Sequence, residues 1–251
     1  MIDASIRSAL FWVCLVAAPA VLASIELFHP AGFTTSPGMF QFLTQPMPDH
    51  AQHFALAYPG PQWWFIMHMI QTPLVGLVAV GLWLLVARVS DAHGRAAAVF
   101  AWLSRAATLV FLLYYTALDS IGGTGLGRSL LNTQQLVGAG RLTPEQVEGV
   151  ALLLNVDWVD PWVGGVGSFI SLTGSWAILA AAVFAALALY LAGTAWLPLV
   201  LLAAFGITLQ ISHASPYGPI AFTLLILAAL SLWWSERRAH VYSGPVTATV
   251  P

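Results

Sequence analysis

The sequence predicts an all-α, polytopic membrane bundle of about six transmembrane helices, and three observations carry that expectation. Of 251 residues, 59% are hydrophobic and 7% charged, where a soluble domain carries about 25% charged residues. The apolar residues gather in six runs, each near the roughly 20 residues that cross about 30 Å of hydrocarbon as a helix. The short alternating segments of a membrane β-barrel are missing from the pattern.

The first run, about 8–28, begins after Arg7 and closes on "ELFHPAGF", which puts Glu26, His29 and Pro30 at a helix end. Its length and single arginine resemble a signal peptide, but "HPAGF" is not a small-residue cleavage pattern, so a retained helix is expected. A proline-rich connection, 29–61, follows. The second run, about 62–87, carries His68 about two turns inside it, and the third, about 98–121, ends on Asp119. The glycines of "GGTGLG" at 122–127 are expected to let the chain leave the third helix and turn; no lysine follows them, so they do not make a phosphate loop.

The second long connection, 122–163, contains "LTPEQVEGVALLLN". Thr143 can cap a helix there, Pro144 suits its first turn and Gln146 completes a capping box, so a short amphipathic helix over 144–155 is expected at the membrane surface. The remaining runs are about 164–192, 195–213 and 217–235, the fifth ending on His213. Residues 1–236 thus form one transmembrane domain, and 237–251 a disordered cytoplasmic tail.

All eight basic residues are arginine. If the chain alternates across the bilayer, Arg7, Arg88, Arg95, Arg105, Arg237 and Arg238 share one side, leaving Arg128 and Arg141 on the other. This bias predicts that both termini are cytoplasmic. Trp63, Trp64, Trp158 and Trp162 then fall near the outer boundary, and Trp233 and Trp234 near the inner one, as an aromatic belt requires. No basic stripe suited to nucleic acid is present, and the single cysteine, Cys14, excludes an intrachain disulfide.

Histidines gather on the outer side: His29, His50, His53, His68 and His213. Taken singly, each reads as well as a wetted interfacial residue. Jointly, His29, His68, Asp119 and His213 bring ionisable groups on four helices to a similar depth, where such groups usually face the bundle interior and mark function. Helical spacing extends them into stripes: Glu26 with His29; Trp64, His68, Gln71 and Thr72; Tyr115, Thr116 and Asp119; Ser168, Ser171 and Ser175; Gln210 and His213.

Three imidazoles and a carboxylate make the ligand set of catalytic zinc or non-haem iron. His29, His68, His213 and Asp119 are the expected ligands of a transition metal (Zn, Fe or Cu), and Glu26 and Asp119 the expected catalytic acids or bases. One Glu-x-x-His is too few for a di-iron carboxylate centre. The expected function is a metal-dependent membrane enzyme acting on a lipid or other amphiphile. Haem held by two histidines is an alternative. So is copper held by the loop residues Met39, Met47, His50 and His53 with the "MHM" of 67–69. A transporter or structural subunit, its stripes serving as interhelical hydrogen bonds, is a further alternative.

Overall fold

A computed structural model describes residues 4–30, 39–44 and 58–242. These are helical with short turns, in the order α1 (Ala4–Trp12), α2 (Ala18–Glu26), α3 (Met39–Thr44), α4 (Pro61–Leu85), α5 (Arg95–Leu118), α6 (Leu126–Gly138), α7 (Pro144–Trp158), α8 (Phe169–Leu191), α9 (Trp196–Ile211) and α10 (Tyr217–Tyr242). The all-α bundle expected from the sequence is what forms. Among the described residues five helical stretches are long and apolar enough to cross a membrane.

A π-helical turn, Val13–Ala17, joins α1 to α2, so the first span is one continuous rod. The fifth predicted run, 195–213, gives α9, which at 16 residues is about 24 Å long and falls short of a full crossing. The fourth starts at Phe169 because Gly167 takes φ +94° and the Ser168 hydroxyl accepts the Ser171 N–H at 3.2 Å, an N-cap. At the far end α10 continues past residue 236 to Tyr242, while 243–251 lie outside the described residues.

The largest departure from the sequence reading concerns "GGTGLG". The chain does not turn there. A π-helical turn over Asp119–Gly125 links α5 directly to α6, giving a helical column from Arg95 to Gly138. The glycines serve close approach: a Cβ on Gly127 would lie 3.0 Å from the Phe65 Cα and the Trp64 ring, and a Cβ on Gly123 would lie 2.7 Å from the His68 Cβ. Only a bare backbone fits against this face of α4. The expected helix at 144–155 forms and runs to Trp158, with the Thr143–Gln146 capping box closed in both directions.

Two clusters organise the packing. The main core runs the length of the bundle between α2, α4, α5, α8, α9 and α10, with Phe111, Phe205, Phe222 and Leu82 fully buried. Alanine at 182, 185 and 188 keeps α8 close to its neighbours, as small residues do between membrane helices. A second cluster caps one end: Phe40 and Leu43 of α3, Tyr58, Trp64, Leu130 of α6, and Ala151 and Trp158 of α7. Trp64 and Trp158 are therefore core residues and not members of an aromatic belt, whereas Trp162 is 67% exposed.

Candidate metal centre

Beneath that cap, three elements deliver three imidazoles to one point. His29 follows the last turn of α2, where its N–H bonds the Glu26 carbonyl at 3.1 Å. His68 projects from α4 one turn after Trp64. His213 stands in the turn between α9 and α10. One ring nitrogen from each lies within 4.8 Å of the others, a spacing that could hold a metal ion. The His29 ring centroid is 5.4 Å from that of His68 and 4.8 Å from that of His213, both edge-on.

Hydrogen bonds settle two tautomers. The Nδ1 of His68 lies 2.7 Å from the Trp64 carbonyl and that of His29 lies 2.8 Å from the Pro30 carbonyl. A carbonyl only accepts, so each Nδ1 carries the proton and each Nε2 keeps its lone pair. Backbone carbonyls orient metal-ligating histidines in this way. The Nε2 of His29 is buried without a hydrogen-bond partner, as a lone pair aimed at a cation would be.

Around the imidazoles sits a ring of polar groups that helical spacing had placed on the right faces. Gln71 of α4 is fully buried and its Nε2 donates to the Tyr115 hydroxyl of α5 at 2.7 Å. The Tyr115 ring stands 5.6 Å from that of His213. Thr72 points its hydroxyl at the Asp119 Oδ2 (3.3 Å) and at the His68 carbonyl (2.9 Å). Glu26 is 0% exposed, and neither of its carboxyl oxygens has a hydrogen-bond partner. Glu26, Asp119 and Tyr115 are near enough to interact electrostatically.

The expected set divides accordingly. His29, His68 and His213 converge. Asp119, expected as a fourth ligand, is buried beside them at 1% exposure but is not a member of the three-nitrogen cluster; Thr72 holds it. Glu26 takes a comparable place on the α2 side, where a Cβ on Gly218 would lie 3.2 Å from the Glu26 Cβ. The serine stripe of α8 does not join: Ser168 caps its helix and Ser175 bonds the Leu172 carbonyl. His50, His53 and Met47 lie outside the described residues, while Met67 is fully buried and Met69 is 52% exposed.

Trp64 shares the predicted stripe of His68, whereas Gly123 and Gly218 were not legible as site residues. Trp64 lays its ring 4.5 Å from His68 and 5.1 Å from His29, and its indole N–H donates to the Gly122 carbonyl at 3.1 Å. Gly123 leaves the space that His68 fills, and Gly218 packs against the backbone of His213. A glycine run beside a titratable residue was the available signal, but sequence alone does not distinguish a turn from a close approach. No protein-family model matches the chain, and neither the curated proteins nor the solved structures contain a match.

Proposed function

We propose that the chain is a metal-dependent membrane enzyme that hydrolyses a lipid or other amphiphile at the His29–His68–His213 centre. The observation that carries this reading is the convergence of one ring nitrogen each from His29, His68 and His213 to within 4.8 Å of one another, with the carboxyls of Glu26 and Asp119 buried nearby. Three histidine nitrogens with an open fourth position are a catalytic zinc set, in which the metal activates water and polarises a carbonyl. Glu26 and Asp119 serve as the proton acceptor and donor, because each is buried at the edge of the cluster with no basic side chain bonded to it.

Charge supports the assignment. Two carboxylates in an apolar bundle are costly unless balanced, and a divalent ion on three neutral imidazoles balances them. Access supports an amphiphile. His29 and His68 are each 3% exposed, whereas His213 is half-buried and stands beside exposed apolar residues, Ile211, Tyr217 and Ile220. A substrate would reach the centre sideways at the α9–α10 junction. With the arginine-rich end cytoplasmic, the centre lies in the outer half of the bilayer. A haem is less well suited, because imidazoles in edge contact leave no slot for a macrocycle between them.

The test is elemental analysis of detergent-purified protein together with chelator-reversible hydrolysis of an acyl ester in mixed micelles, for wild type and His68→Ala. About one zinc per chain and a zinc-restored activity, both lost in the variant, are the expected result. Metal-free wild-type protein that stays metal-free after zinc incubation would overturn the proposal.

A further inference from the structure

The end of the bundle opposite the histidines carries a second cleft, of about 660 Å³, between α1, α4, α8 and α10. Some 20 residues of α4 and its last turns separate His68 from Arg88, roughly 30 Å along a helix axis, so the two sites are distinct. Arg7 of α1 and Arg88 after α4 both line this cleft, as do Ser8, Thr194 and Ser235. Its apolar wall is formed by Leu15, Leu85, Leu189 and Leu232, and among the described residues no acidic residue lines it.

The two guanidiniums are available. Among the described residues neither Arg7 nor Arg88 has an ion-pair or hydrogen-bond partner. Three other arginines at this end are engaged: Arg105 donates to the Val86 carbonyl at 2.8 Å and lies 4.8 Å from the Trp102 ring, and Arg237 and Arg238 stack on Trp233 and Trp234; Arg95 does not line the cleft. Trp233 also borders the cleft, so the stacked Arg237 adds positive potential at its rim.

We propose that this cleft binds one anionic phospholipid, its phosphate diester held between Arg7 and Arg88 and its acyl chains lying along the leucine wall. The charge complementarity is specific, because a guanidinium fork matches two phosphate oxygens and is retained where a buried anion must be held. The cleft is the size of a small-molecule site and opens at the headgroup level of the leaflet to which the arginines are assigned. A soluble phosphate has no use for the leucine wall. A zwitterionic lipid offers the same phosphate but brings its own cation to meet the two arginines.

The experiment compares full-length wild type with the Arg7→Gln/Arg88→Gln double variant, using native mass spectrometry in detergent with phosphatidylglycerol, phosphatidylcholine or inorganic phosphate added. Wild type is expected to retain one phosphatidylglycerol with at least about tenfold preference over phosphatidylcholine, and the variant to lose that preference. Arg88→Lys, which keeps the charge without the fork, is expected to keep part of it. Equal retention of the two lipids, an unchanged preference in a normally helical double variant, or displacement of the lipid by inorganic phosphate would each overturn the proposal. Zinc stoichiometry measured on the same samples is independent of these outcomes.

Discussion

Replacing Gly123 by alanine isolates the geometry of the centre from any assumption about metal. The added Cβ would meet the Cβ, Cγ and Cδ2 of His68, the first of them at 2.7 Å. The ring cannot retreat along its own helix while its Nδ1–H holds the Trp64 carbonyl at 2.7 Å. Overpacking of this kind costs about 1–3 kcal/mol, and a buried donor left unpaired costs about 1–3 kcal/mol more. Better backbone propensity returns at most about 1 kcal/mol. The expected net loss is about 1–6 kcal/mol, with weaker metal retention because His68 is turned out of register. Gly76→Ala is the control, since nothing lies within 4 Å of a Cβ at that mid-helix position, and it should be neutral or stabilising by about 0.5–1 kcal/mol. Both are read by unfolding in mixed micelles followed by circular dichroism, with zinc content measured in parallel. A Gly123→Ala protein as stable and as zinc-replete as Gly76→Ala would refute the packing argument.

Metal retention should fall as pH drops, because protons compete for the imidazole lone pairs that ordinarily titrate near pH 6.5; a zinc titration by calorimetry in two buffers should also show proton release on binding. Glu26→Gln should weaken zinc binding yet raise the stability of the metal-free protein, since it removes a buried carboxyl whose oxygens lack partners; parallel melts with and without chelator check the opposite signs. Tyr115→Phe leaves the Gln71 amide without its 2.7 Å partner and should cost about 1–3 kcal/mol, measured by the same unfolding assay. Outside the spans, the N–H groups of Val163 and Trp162 bond the Asp160 carboxylate at 2.8 Å each and hold its carboxyl below the usual range. A depressed folded value means that the turn is supported above the ordinary carboxyl value and loosens as pH falls through the lowered one. Amide exchange at Trp162 and Val163 should therefore accelerate, relative to its intrinsic rate, on acidification, and should already be fast in Asp160→Ala.

Much of the fold was legible because lipid removes alternatives. An apolar run in a bilayer must be helical, so run length alone located α1–α2, α4, α5, α8 and α10 within a few residues of their positions. The capping box at Thr143 was legible for the opposite reason, being local chemistry that needs no tertiary context. What failed was the glycine run after Asp119. Intrinsic propensity reads glycine as an exit from a helix, whereas tertiary packing uses it as a flat face; α4 presses Trp64, Phe65 and His68 against that face, and the π turn keeps the column continuous. The same error made Trp64 a belt residue, since nothing local says that a helix will later cover it.

Convergence of the histidines was foreseeable in kind but not in membership. Depth along a helix follows from counting at a fixed rise, so His29, His68, Asp119 and His213 could be set at one level before any packing was known. Azimuth does not follow from counting. Asp119 faces Thr72 of α4 and thereby misses the nitrogen cluster, whereas Glu26, expected as a catalytic acid or base and not as a ligand, comes to rest equally buried on the other flank. The result is an asymmetric arrangement: three neutral donors at the centre and two acids held back from it on different helices. Acids placed as direct ligands would neutralise a dication and dull its pull on water, and acids placed in the surrounding shell balance its charge while leaving a coordination position and a nearby proton acceptor. For a site closed to bulk water on two of its three histidines, that arrangement is the one that favours chemistry at the third, where His213 opens toward the apolar rim of α9 and α10.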